Sequence, residues 1–137
     1  GLAAVFNDPA GRDFGSIIGG SGTALDVAKL FAVARINIPE LLDATNKKRA
    51  TLRASNGRIS GIPNTNQEVE SLPGAEASKT GFTDMAGGNL GIIVDVALGH
   101  PVVIVVLGST REARFTDVDT LYAALVRSIQ TLSTPKE

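Results

Sequence analysis

The chain has 137 residues, 43% of them apolar and 20% charged, which suits one soluble globular domain with a core of its own. Thirteen basic residues face fourteen acidic ones for a net charge of −1, so nothing steers the chain as a whole towards nucleic acid. With no cysteine it lacks the means for disulfides, thiolate zinc sites or a cysteine nucleophile, and with a single histidine, His100, a His-based metal site or a Ser-His-Asp triad would need an unusual solution.

No apolar run reaches the roughly 18 residues that a transmembrane helix needs, so no membrane segment is expected. Gly1-Leu2-Ala3-Ala4 has no charged region of the kind that opens a signal peptide. Residues 1–20 are predicted to be loop: Asn7-Asp8-Pro9-Ala10-Gly11 is turn chemistry and Gly19-Gly20-Ser21-Gly22 is flexible. These glycines do not make a phosphate loop, because no Gly-Lys-Ser/Thr follows and no strong strand precedes them. Thr23-Ala24-Leu25-Asp26 has capping-box spacing and opens a helix predicted over about residues 24–36. Its buried stripe is read as Ala24, Val27, Phe31 and Ala34, with Asp26 and Lys29 off it.

Pro39 breaks this helix, and Pro39-Glu40-Leu41-Leu42 starts a short second one. Lys47-Lys48-Arg49 is a basic triplet; contact with an anionic polymer is one reading and a solvated loop the expected one. Residues 51–54 and 58–60 flank Ser55-Asn56-Gly57, a hairpin signal. Asn64-Thr65-Asn66 and Ser71-Leu72-Pro73-Gly74 are polar turn material. There is no internal repeat and no long linker, so residues 1–137 are read as part of a single domain.

In the second half, Leu90, Ile92, Val94, Val96 and Leu98 alternate with Gly91, Ile93, Asp95 and Ala97, a strand with one strongly apolar face. Gly99-His100-Pro101 turns the chain, with His100 on the surface. Residues 102–107 are apolar without exception and read as a strand covered on both faces. After the loop Gly108-Ser109-Thr110-Arg111, Thr116-Asp117-Val118-Asp119 is predicted to open the last helix. Its buried stripe is Val118, Leu121, Tyr122, Leu125, Ile129 and Leu132.

Ahead of these strands stands Ala77-Ser78-Lys79-Thr80-Gly81-Phe82-Thr83-Asp84. The order predicts a three-stranded antiparallel meander followed by a helix, an α+β arrangement. On a strand, Lys79 and Gly81 share one face and Thr80 takes the other. An ammonium here can hold an anionic group or tune a neighbouring nucleophile, and Thr80 and Thr83 offer hydroxyls. Gly81 lets a ligand backbone come close, and an extended peptide could pair with the strand edge. Alone, the tripeptide equally describes an ordinary edge strand with an exposed lysine.

The neighbouring residues give it context. Lys79-Thr80-Gly81-Phe82-Thr83-Asp84-Met85-Ala86-Gly87, with the strands and Val106-Leu107-Gly108 after it, resembles the serine-type D-alanyl-D-alanine carboxypeptidases. These are low-molecular-mass penicillin-binding proteins of peptidase family S11. Phe6-Asn7-Asp8-Pro9-Ala10-Gly11-Arg12-Asp13 is similar to the family's Phe-x-Asn-Pro-His-Gly-Leu-Asp loop, with departures at Ala10 and Arg12. Thr23-Ala24-Leu25-Asp26-Val27-Ala28 is similar to its Thr-Ala-x-Asp-Leu-Ala helix, and Asn64-Thr65-Asn66 to its Asn-Thr-Asn. Arg111-Glu112-Ala113-Arg114-Phe115 resembles the run into its closing helix.

The resemblance implies a partial β-lactamase/transpeptidase-like fold without its N-terminal strands, and a site built from three motifs: Ser-x-x-Lys with the nucleophile and a lysine base, Ser-x-Asn, and Lys-Thr-Gly on the opposite wall. It implies that Lys79 neutralises the substrate carboxylate or polarises a serine of the second motif. Thr80, Gly81 and Thr83 would bind substrate, and the Phe82 backbone N–H would be an oxyanion-hole donor. The substrate implied is a peptidoglycan peptide ending in D-Ala-D-Ala, with β-lactams as inhibitors, no cofactor, and a periplasmic or extracytoplasmic location. The roles of Arg58, Asn64, Asn66 and Arg114 are expected to be structural.

The first two motifs of the family are absent. No serine is followed two places later by asparagine. Ser133-Thr134-Pro135-Lys136 is a literal Ser-x-x-Lys, but Pro135 interrupts it after the last helix, where the lysine could not face the serine. The chain therefore reads as the C-terminal part of such an enzyme, inactive by itself, with the nucleophile expected on a companion N-terminal segment. The apolar run 102–107 agrees: left as a sheet edge it would be an aggregation site. The alternative is a non-catalytic peptide- or protein-binding module of the same ancestry.

Overall fold

The structure, a computed structural model, describes residues 1–97 and 99–133. Leu98 of the predicted strand pattern, and residues 134–137 with most of the rejected Ser-x-x-Lys tetrad, lie outside the described residues. In chain order the elements are β1 (Val5–Phe6), β2 (Gly20–Ser21), α1 (Ala24–Asn37), α2 (Pro39–Leu42), β3 (Arg49–Arg53), β4 (Ile59–Pro63), β5 (Ala75–Thr83), β6 (Gly87–Asp95), β7 (Pro101–Ser109) and α3 (Ala113–Ser133).

The expected meander is present: β5, β6 and β7 form one antiparallel sheet with β6 in the middle. The period-2 pattern of β6 decides what lies on each face. Leu90, Ile92 and Val94 join Ile104 and, from α3, Val118 in the buried core, with Phe115, Tyr122 and Leu125 packed against it. The opposite face carries Gly91 and Ile93 and receives α1. Phe31 of α1 lies so close over Gly91 that a Cβ there would sit 2.6 Å from its ring. The glycine is thus a packing requirement, the point where helix and sheet come into contact.

The hairpin signal around Asn56-Gly57 is met by β3 and β4, paired from Arg49↔Pro63 to Arg53↔Ile59. Residues 1–20 are mostly loop, as expected, but Val5–Phe6 pairs with Gly20–Ser21 and closes them into a lobe.

Two helix readings need correction. In α1 the buried residue is Asp26, 4% exposed, whereas Ala24 is exposed and Val27, Phe31 and Ala34 are half-buried. The carboxylate can be buried because it is saturated with donors: the Thr23 N–H (3.1 Å), the Thr23 hydroxyl (2.9 Å) and the Ala3 N–H (3.1 Å). The capping box thereby also ties the N-terminal segment to the helix. The last helix starts a turn earlier than predicted, at Ala113, whose N–H donates to the Thr110 hydroxyl (2.9 Å). Thr116 is already helical, and its hydroxyl donates back to the Ala113 carbonyl (2.9 Å). Leu121 and Leu132 of the predicted stripe are exposed.

A large apolar surface remains open to solvent. Leu25, Val33 and Ile36 of α1 are exposed, and among the described residues β7 has a partner strand only on its β6 side.

Candidate active-site groove

Lys79, Thr80 and Gly81 lie in the second half of β5, the strand at the other edge of the sheet. Backbone groups along a strand alternate between its two sides, and β6 takes one of them. On the free side the Ser78 N–H donates to the Thr45 hydroxyl (3.1 Å), and the Thr80 carbonyl accepts from the Lys79 ammonium. The alternation therefore aims the Phe82 N–H, two residues on, along the same free edge. Opposite it, the Gly81 carbonyl accepts from Arg114 Nη1 (2.7 Å), where the β6–β7 register slips between Gly88 and Leu90.

Buried polar contacts fix the strand from behind. Asn66, 2% exposed, donates through Nδ2 to the Ser78 hydroxyl (3.0 Å) and accepts the Glu68 N–H (3.1 Å). The hydroxyls of Thr65 and Thr80 are 2.5 Å apart. Asn64 donates to the carbonyls of Thr45 (2.8 Å) and Lys47 (3.0 Å) and accepts the Asn66 N–H (2.8 Å). The Asn-Thr-Asn run is thus a bracket that seats the Lys-Thr-Gly strand, while Lys79 itself is exposed.

In front of the edge runs an open groove of about 950 Å³, lined among others by Arg12, Asn64, Lys79, Thr80, Phe82 and Arg114. A smaller recess of about 270 Å³ adjoins it between Thr45, Ser78, Lys79 and the base of the hairpin. All five residues predicted for the site, Lys79, Thr80, Gly81, Phe82 and Thr83, line the larger groove. The Thr83 hydroxyl accepts the Ala86 N–H (2.9 Å) and lies by Asp13. The Asp13 carboxyl is held below its ordinary value first by the Gly19 N–H (2.7 Å) and then by the Thr83 hydroxyl. Asp13 Oδ2 is buried without a hydrogen bond of good geometry, so the Thr83 contact is electrostatic rather than a formed bond.

Arg114 is the groove residue that the sequence reading left as structural. It is 7% exposed, its Nε has no hydrogen-bond partner, and no carboxylate among the described residues forms a salt bridge with it. Burial, and then the nearby Arg111, hold its pKa below the ordinary arginine value. Arg111 itself stacks over the Phe82 ring, 4.0 Å from its centroid. Arg58 stays on the exposed hairpin. No group of three or more possible metal ligands exists among the described residues.

No family profile and no curated protein sequence matches the chain. Solved structures do. The ampicillin-bound form of penicillin-binding protein D2 from Listeria monocytogenes superposes with a TM-score of 0.74 at 30% identity, over 88% of this chain and 48% of that one. The chain has the penicillin-binding-protein fold. The D-alanyl-D-alanine carboxypeptidase from Mycobacterium tuberculosis H37Rv matches with a TM-score of 0.67 at 28% identity, over 93% of this chain and 47% of that one. The S216A mutant of Streptomyces K15 DD-transpeptidase gives 0.60 at 26%, over 80% and 45%. The chain therefore spans about half the length of the penicillin-binding proteins it matches. The resemblance read from its motifs is to the same proteins, and the α+β architecture expected from it is the one observed.

Proposed function

We propose that this chain supplies the Lys-Thr-Gly wall of a serine peptidase acting on peptidoglycan stem peptides that end in D-Ala-D-Ala. The observation that carries this reading is the far end of the β5 edge: beyond the Thr80 carbonyl, which the Lys79 ammonium occupies, the outward Phe82 N–H, Lys79 and a near-buried guanidinium all border one open groove. An extended peptide would pair with this edge, and its terminal carboxylate would meet Lys79 and Arg114. Arg114 suits that role because a desolvated cation with no salt bridge among the described residues, only the more distant charge of Glu112, gains much from an incoming anion. The Phe82 N–H would serve as one oxyanion donor, a contribution on the order of 10²–10³ in rate. Thr80 and Gly81 would shape the edge, while Thr83 would act chiefly by fixing the turn after it.

The reaction would run through an acyl-enzyme. A serine hydroxyl attacks the peptide carbonyl, the D-alanine amine leaves with the proton, and water then releases the acyl group. No cofactor is needed. The serine would come from a companion segment whose strands and helices cover β7 and the exposed face of α1. The ampicillin in the Listeria neighbour supports β-lactams as ligands of the completed site. A peptidoglycan substrate puts the protein outside the cytoplasmic membrane, and no described helix is long and apolar enough to cross one.

The test is Lys79→Ala in the protein as isolated from its natural source, with its companion. The second-order rate of acylation by a fluorescent penicillin should fall a hundredfold or more, by the magnitude of a lost active-site donor, roughly 10²–10³. Unchanged labelling would remove Lys79 from the site.

A further inference from the structure

The charge of this chain is segregated. From Ala44 through Gln67 there are five cations, Lys47, Lys48, Arg49, Arg53 and Arg58, and no acid. The other eight basic residues share the rest of the chain with all fourteen acids. The fold turns the basic segment into an arm. β3 and β4 pair with each other and, among the described residues, pack on no other helix or strand.

Cross-strand partners share a face. Arg49, Thr51, Arg53 and Ile59 therefore look one way, and Ala50, Leu52, Ser60 and Ile62 the other. Ala50 and Ser60 are half-buried, so theirs is the inner face, and the arginine face is exposed at every position. Arg58 stands at the turn, where its carbonyl accepts the Ala54 N–H (2.8 Å). Of the five cations, only Lys48 forms a salt bridge among the described residues, with exposed Glu70 at 2.7 Å.

We propose that the β3–β4 arm is a docking site for a flexible polyanion with phosphate repeats. Four exposed cations free of salt bridges, spread from the base of the arm to its tip, suit a chain of repeated charges better than one anion. The tip, Ser55-Asn56-Gly57, is polar, and the exposed Leu52 and Ile59 beside it lie on opposite faces of the hairpin, so the arm offers a bilayer no single apolar face. A rigid duplex wider than the arm would also meet the acidic remainder of the protein, which a single flexible strand avoids. The base of the arm gives the docking a direction. Lys47, Ala50 and Ile62 line the same recess as Lys79 and Thr80, so a polymer held on the arm runs beside the groove. An isolated two-stranded hairpin is only marginally stable in water, and an occupant would rigidify it.

Polyanion binding here does not depend on acyl transfer in the groove, and a penicillin-labelling result of either sign leaves it standing. The experiment is a titration of the protein as isolated from its natural source, with its companion, into end-labelled long-chain inorganic polyphosphate, followed by fluorescence anisotropy between roughly 50 and 200 mM salt, the range over which counterion release is read. Four cations at about 0.7 each predict a log–log salt slope of about −3. Arg53→Gln/Arg58→Gln, two exposed changes outside the groove, should weaken binding tenfold or more at ~0.1 M salt and bring the slope to about −1.4. Amide exchange checks that the variant keeps the β3–β4 pairing. Absent binding, equal binding by the variant, or tighter binding to phosphatidylglycerol vesicles or a DNA duplex would overturn the proposal.

Discussion

Gly91→Ala probes the contact that seats α1 on the sheet. The added Cβ would lie 2.6 and 2.9 Å from two ring carbons of Phe31. Ordinary carbon contacts are about 3.5–4.0 Å, so the ring must retreat by about 1 Å. Over-packing of this kind costs about 1–3 kcal/mol. For a domain of this size each kcal/mol lowers Tm by roughly 4 °C, which predicts a fall of about 4–12 °C. The assay is thermal unfolding followed by far-UV circular dichroism, repeated in a Phe31→Leu background. Leucine removes the ring atoms that the new methyl meets, so the penalty of Gly91→Ala should shrink to a small fraction there. An alanine that costs nothing, or costs the same with and without the ring, would refute this packing.

Asn66→Ala should destabilise by roughly 1–3 kcal/mol, because two hydrogen bonds go: the one the Ser78 hydroxyl accepts, leaving it only its own bond to the Thr45 carbonyl, and the one the Glu68 N–H donates; chemical denaturation would show it as a lower midpoint. Asp26 gives a pH signature. The N–H groups of Thr23 and Ala3 and the Thr23 hydroxyl hold its folded pKa below the ordinary 3.8. Its contribution is thus complete above that value and lost as pH falls through the folded pKa. Asp26→Asn should flatten that part of the acid limb in a pH series of thermal melts, and an unaltered limb would count against the assignment. The exposed β7 edge predicts that the chain alone self-associates; light scattering that returned a clean, folded monomer would contradict it.

The sheet was legible because a single apolar period of two, running through Leu90, Ile92 and Val94, has one physical solution. The Asn-Gly turn made the hairpin legible in the same local way. Asp26 was misplaced because periodicity sorts residues by polarity, and a carboxylate saturated by backbone donors can be buried where apolar neighbours are not. Leu121 and Leu132 match the period of α3, but among the described residues they stay exposed. In the groove, Lys79 and Phe82 were singled out through the motif and the family it resembles, and both line it. Arg114 was missed because its burial and its reach to the Gly81 carbonyl join residues 33 positions apart, a relation no local pattern carries.

The central claim is that this chain is one wall of an acyl-transfer site whose serine lies on another segment. Fluorescent penicillin, added to the protein from its natural source and followed by denaturing electrophoresis and mass spectrometry, tests it directly. The account predicts a covalent label on a serine of a companion segment held with this chain. A label on one of this chain's own serines, or no label and no companion around a stably folded chain, would contradict it.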